Sequence, residues 1–114
     1  MSSSAPGLIY VSSLPGGPED ASLGARGAVY SINLSTGTLA KVAGGFVGAT
    51  NVAVAPDGTT YVAEMFGGRI STVSGGGAQP GRRRAVPAAV EWASGKLYAT
   101  IDVFGNGSIV TVTP

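Results

Sequence analysis

Val52-Ala53-Val54-Ala55-Pro56-Asp57-Gly58-Thr59-Thr60-Tyr61-Val62 places two short apolar runs on either side of a Pro-Asp-Gly turn. Each turn residue has its own physical reason to be there: Pro56 presets φ, Asp57 can bond the backbone ahead of it, and Gly58 accepts a positive φ. The stretch therefore reads as an antiparallel hairpin. Its outline recurs on both sides. Gly58 stands as far before Tyr61 as Gly7 before Tyr10 and Gly95 before Tyr98. After each tyrosine a glycine opens a further strand: Gly27-Ala28-Val29-Tyr30-Ser31-Ile32, Gly68-Arg69-Ile70-Ser71-Thr72-Val73 and Gly107-Ser108-Ile109-Val110-Thr111-Val112. Self-similarity at roughly 40 residues, built of short strands, is the mark of a β-propeller, whose four-stranded blades repeat in series.

Composition supports an all-β chain. With 19 Gly and 7 Pro in 114 residues, no stretch sustains the 3.6-residue period of an amphipathic helix. A propeller ring needs about four to eight blades, so this length is too short to close one alone. Seven basic and six acidic residues leave a net charge of +1, which gives no field to attract nucleic acid or a membrane surface. The absence of cysteine removes disulfides and thiolate metal sites, and the absence of histidine removes Ser-His-Asp and Cys-His nucleophilic systems and histidine-bound zinc or haem. The opening residues carry no signal-peptide pattern and no 18-residue apolar span exists, so a soluble chain is expected.

Lettering strands A to D from the channel outward, the turns assign B (8–13), C (27–34) and D (38–44) to the first repeat. The second repeat has A (51–55), B (60–64), C (69–74) and D (82–87), and the third A (88–93), B (96–101) and C (107–113). The expected architecture is a partial propeller, BCD-ABCD-ABC. Residues 1–7 are read as a tail and turn remnant whose A strand is missing, followed by blades at 8–47, 48–87 and 88–114. The first B–C connection is longer than the others by the loop at 12–26. B–C and D–A connections share the face where propellers usually hold ligands, so this insertion is a candidate binding loop or a tolerated surface excursion.

Gly48-Ala49-Thr50-Asn51-Val52-Ala53-Val54-Ala55-Pro56-Asp57-Gly58-Thr59-Thr60-Tyr61-Val62-Ala63-Glu64 and Pro87-Ala88-Ala89-Val90-Glu91-Trp92-Ala93-Ser94-Gly95-Lys96-Leu97-Tyr98-Ala99-Thr100 resemble blades of the ScyD/ScyE family, relatives of NHL-repeat propellers. Phe66-Gly67-Gly68-Arg69-Ile70, Asp102-Val103-Phe104-Gly105-Asn106-Gly107-Ser108-Ile109-Val110 and the long first B–C loop extend the likeness over residues 8–112. The resemblance implies a usually exported propeller of several blades, associated in cyanobacteria with scytonemin biosynthesis and without one settled activity. Against it this chain reads as a fragment of two and a half to three blades.

Lactonase-like propellers hold calcium through oxygen ligands, which makes the carboxylates and amides of the ligand face worth placing. Glu64 and Asp102 close corresponding B strands, Glu19 and Asp20 sit in the long loop, and Asn51 begins a strand A. The plainer reading has Glu64 and Asp102 fixing the B–C turns by accepting backbone N–H bonds. Glu91 falls in an inner strand where the second repeat has Val54, so it either pairs with an arginine of a neighbouring blade or lines the channel. Arg82-Arg83-Arg84 reads as a D strand protected against edge pairing rather than a phosphate site. Tyr10, Tyr61 and Tyr98, recurring once per blade, read as packing between blades.

No metal site, cofactor or catalytic set is expected. The expected function is a non-catalytic scaffold that closes its ring with a second copy, Ile109 and Val112 of one chain facing Leu8, Tyr10 and Val29 of the other. The competing readings are a calcium-dependent lactonase-like or strictosidine-synthase-like hydrolase and a peptide- or glycan-binding module.

Overall fold

The computed structural model describes residues 2–5, 7–14, 22 and 24–112. These form strands β1 (Ser2–Ala5), β2 (Leu8–Ser13), β3 (Gly27–Asn33), β4 (Leu39–Phe46), β5 (Ala49–Val54), β6 (Thr60–Glu64), β7 (Arg69–Ser74), β8 (Gly77–Arg83), β9 (Ala89–Ala93), β10 (Lys96–Ile101) and β11 (Ser108–Val112), with no α-helix among the described residues. Consecutive strands pair antiparallel as β1-β2-β3-β4, β5-β6-β7-β8 and β9-β10-β11. Each group is a blade, and the whole is a partial β-propeller. One parallel bridge, Gly44 to Gly77, ties the outer strands of the first two blades into a single eight-stranded sheet.

Two strand assignments need correction. The first blade is complete, because β1 pairs with β2 through Ser2 opposite Tyr10 and Ala5 opposite Leu8; the order is ABCD-ABCD-ABC, not BCD-ABCD-ABC. A run of serines lacks the β-branched pattern used to find strands, but the ladder is made by backbone groups and the free edge of β2 offers them a partner. The outer strand of the second blade spans 77–83 rather than 82–87. Gly75 (φ 58°) and Gly76 (φ 80°) make the turn into it. An outermost strand tolerates Pro80, whose missing N–H would break a central ladder.

The strand alternation sends successive side chains to opposite blade faces. From the second blade, Val52 and Val62 pack toward Val29, Ala43 and Phe46 of the first. Tyr61, Ala63 and Ile70 pack toward Val90, Leu97 and Val112 of the third. Thus Tyr10 and Tyr61 do lie between blades, Tyr10 at the edge of the first junction and Tyr61 in the second. The same alternation corrects the expected assembly contacts. Tyr10, Val29 and Val112 already face the second blade within the chain, Leu8 is in neither core cluster, and Ile109 is 76% exposed.

The hairpins take the geometry their residues favour. Asp57 accepts the Thr59 N–H at 2.9 Å, and Gly58 has φ 90°. Ser94 (φ 51°) and Gly95 (φ 75°) form the two-residue turn between the paired Ala93 and Lys96, where two positive φ values match the strand twist.

Candidate functional site

The B–C and D–A connections of the second and third blades meet on one face and are stitched by backbone bonds. Met65 N–H donates to Gly48 at 2.9 Å, Gly67 N–H to Val47 at 3.1 Å, Arg84 N–H to Gly68 at 3.0 Å and Asp102 N–H to Ala85 at 2.6 Å. Gly48 has to be glycine here: its φ is +69°, and a Cβ would lie 2.6 Å from the Phe66 ring.

Glu64 ends β6 beneath this face and is fully buried. Its Oε1 accepts the Val47 N–H at 2.7 Å and an Arg69 Nη2 bond at 3.0 Å, while Oε2 accepts Arg69 Nε at 2.6 Å and the Ser71 hydroxyl. Register explains the pairing, since Glu64 lies directly opposite Arg69 across the β6–β7 hairpin. The Glu64 carboxylate in turn holds the Arg69 guanidinium above its ordinary pKa. A carboxylate so placed is a tie between the D–A connection and the sheet. Arg69, Ser71 and Val47 were not singled out in the sequence, although counting across the hairpin would have put Arg69 beside Glu64.

The other candidates divide. Asn51 is a second tie: its Oδ1 accepts the Val90 N–H at 2.9 Å, beside the bond from Thr50 Oγ1 to the Ala88 carbonyl at 2.7 Å, so β5 is clasped to β9. Asp102 adopts φ 53°, and its carbonyl accepts the N–H groups of Gly105 and Gly107, each at 3.0 Å. It shapes the B–C turn through its main chain, with a residue type that tolerates this region. Glu91 is exposed and unpaired among the described residues, where the ion pair is Arg69 with Glu64; the arginine partner expected for Glu91 is not found. The reason is topological: Glu91 stands on the outward face of the third blade, opposite Tyr98, with no blade beyond it among the described residues. Glu19 and Asp20 lie outside the described residues.

Asn51 and Glu91 do come together in one place. With Tyr98, Thr100 and Ile109 they line an open hollow of about 310 Å³ on that outward face. Glu64 and Asp102 are not part of it. Among the described residues no three Asp or Glu side chains converge to hold a metal ion.

No family model and no curated protein matches the chain. Among solved structures 12 chains match it. One, described as a "putative gluconolactonase", aligns with a TM-score of 0.60 at 15% identity, covering 96% of this chain and 46% of its own. This chain thus spans less than half the length of that protein, and the likeness is one of fold.

Proposed function

We propose that the chain is a non-catalytic propeller scaffold, a segment of the ScyD/ScyE and NHL-like kind that closes its ring by self-assembly and offers the ligand-side loops for binding. One observation carries this reading. The carboxylate best placed for chemistry at the ligand face, Glu64, spends its acceptor sites on Arg69, Ser71 and Val47. It holds the sheet to its connection instead of facing a substrate. The outward face of the third blade, with Ile109 exposed, supports assembly as the route to stability.

The neighbour's description favours a second reading, a lactonase-like hydrolase. The two separate in one set of measurements. Native mass spectrometry with and without calcium, paired with assays on gluconolactone and simple esters, is expected to show assembly at twice the 11.2 kDa chain mass, no bound metal and no turnover. Lactone hydrolysis that needs calcium, and is lost in Asp102→Ala, would replace the scaffold with the enzyme.

A further inference from the structure

The three repeats present the same two faces, and the chain covers only some of them. The following face carries the repeat tyrosine and the second residue after the C-strand glycine: Tyr10 with Val29, Tyr61 with Ile70, Tyr98 with Ile109. The first two pairs pack onto the next blade. The third meets no further blade among the described residues and lines the hollow beside Glu91.

The preceding face shows the complementary pattern. In the third blade it is Leu97, Ala99 and Val112, which share one core cluster with Tyr61 and Ile70 of the second, and Val110, which packs against that cluster. Counting from the same glycines, the matching residues of the first blade are Ile9, Val11, Tyr30 and Ile32. Register places them on one side of that blade, with Ile9 opposite Ile32, Val11 opposite Tyr30, and Ile32 opposite Leu39, which is 61% exposed. This side is apolar at every matched position, and it faces away from the second blade.

We infer that these two open faces are the halves of one junction: Tyr98 and Ile109 of one copy dock on Ile9, Val11, Tyr30 and Ile32 of a second copy. The occupant follows from the repeat, because inside the chain a tyrosine face is always met by the preceding face of another blade. It follows also from span. One copy covers 46% of the propeller it aligns with, so two cover about nine-tenths of it and three overshoot. The contact rests on the ring reading above and adds its residues. Charged Glu91 lies at the inner margin of the tyrosine face, leaving Ile109 as its apolar centre.

Cysteine substitution tests the contact without requiring a destabilised protein, since the chain has no cysteine of its own. Inside the chain Ile70 and Val112 share one core cluster, and the matching pair across copies is Ile109 and Ile32. Carrying Ile109→Cys and Ile32→Cys together, the full chain is expected to oxidise to a covalent dimer. Ile109→Cys with Ser94→Cys, the latter in an exposed turn, should not. Separately, Ile32→Glu and Ile109→Glu are each expected to weaken dimerisation by about a hundredfold in sedimentation, because each buries an unpaired charge in the junction. A dimer that tolerates both charges and fails to crosslink would overturn this junction while leaving a ring assembled by other surfaces. A compact monomer would overturn the junction and the ring reading together, and a ladder of higher masses would overturn closure by a second copy.

Discussion

Trp92 stacks on Tyr61 with ring centroids 6.0 Å apart and planes 11° from parallel. The contact bridges the second and third blades, and Trp92 is the single tryptophan of the chain. Trp92→Ala is therefore expected to cost about 3 kcal/mol in urea denaturation, the lower end for losing a large aromatic because Trp92 is only half-buried. In the unmodified chain, tryptophan fluorescence should report the loss of this junction; a signal unchanged through the unfolding seen by circular dichroism would contradict the packing.

The Glu64–Arg69 pair predicts an asymmetry. Arg69 keeps 25% of its side chain exposed while Glu64 keeps none, so the two partners differ in what they lose when left alone. Arg69→Met strands a buried carboxylate and is expected to cost about 3–5 kcal/mol. Glu64→Gln leaves a guanidinium that can reach water and keeps an acceptor for Val47, so its cost should be distinctly smaller. Equal losses in chemical denaturation would mean the carboxylate is less buried than described.

Burial, and more weakly the Asp57 charge, push the Tyr61 phenol above its ordinary value of 10.0. The folded chain then holds the phenolic proton more tightly than the unfolded chain. Tyr61's contribution is fully present below pH 10.0 and is lost as pH rises through the folded value. Melting temperatures measured from neutral to strongly alkaline pH should fall in that window, and the fall should be reduced in Tyr61→Phe, which keeps the ring against Trp92. An identical alkaline slope in both proteins would assign the effect elsewhere.

Asp57 supplies the acid counterpart. The Thr59 backbone bond lowers its pKa below 3.8, so the stability it lends is present above that value and lost as pH falls through the folded one. Its full exposure keeps the effect small, and Asp57→Ala should flatten the acid limb of the melting profile and, by removing the charge that adds to the rise of the Tyr61 phenol, slightly soften the alkaline one.

Gly48→Ala is expected to destabilise by about 2 kcal/mol or more, since the backbone holds φ +69° and the new Cβ would sit 2.6 Å from Phe66. A Gly58→Ala control, at φ +90° with open space around the added carbon, pays the backbone cost alone and should lose less. Thermal unfolding of the two variants measures the difference.

The residues that spoke from the sequence did so through local physics. Pro56-Asp57-Gly58 and Ser94-Gly95 announce their turns because backbone conformation at a turn depends on the residues in it, and the repeated tyrosines announce blades because each blade needs the same packing. β1 is silent, since a run of serines carries no strand pattern and its ladder needs only backbone groups, and β8 is displaced by a proline that an outer strand accepts. At the candidate site, Glu64 is the last residue of β6 whereas Asp102 lies one residue beyond β10, and their roles depend on what lies across the hairpin and across the blade gap. Tyr10, Val29 and Val112 show the limit most plainly. They were recognised as apolar junction residues, yet their face is set by strand parity, and a shift of one position sends a side chain to the opposite side of a blade. Sequence by itself determined that this chain is a series of antiparallel blades, because turns and alternation are local. Only the tertiary structure decided which face each residue gives to which neighbour, that Glu64 belongs to Arg69, and that Ile109 is left open, because those facts depend on how whole blades stack.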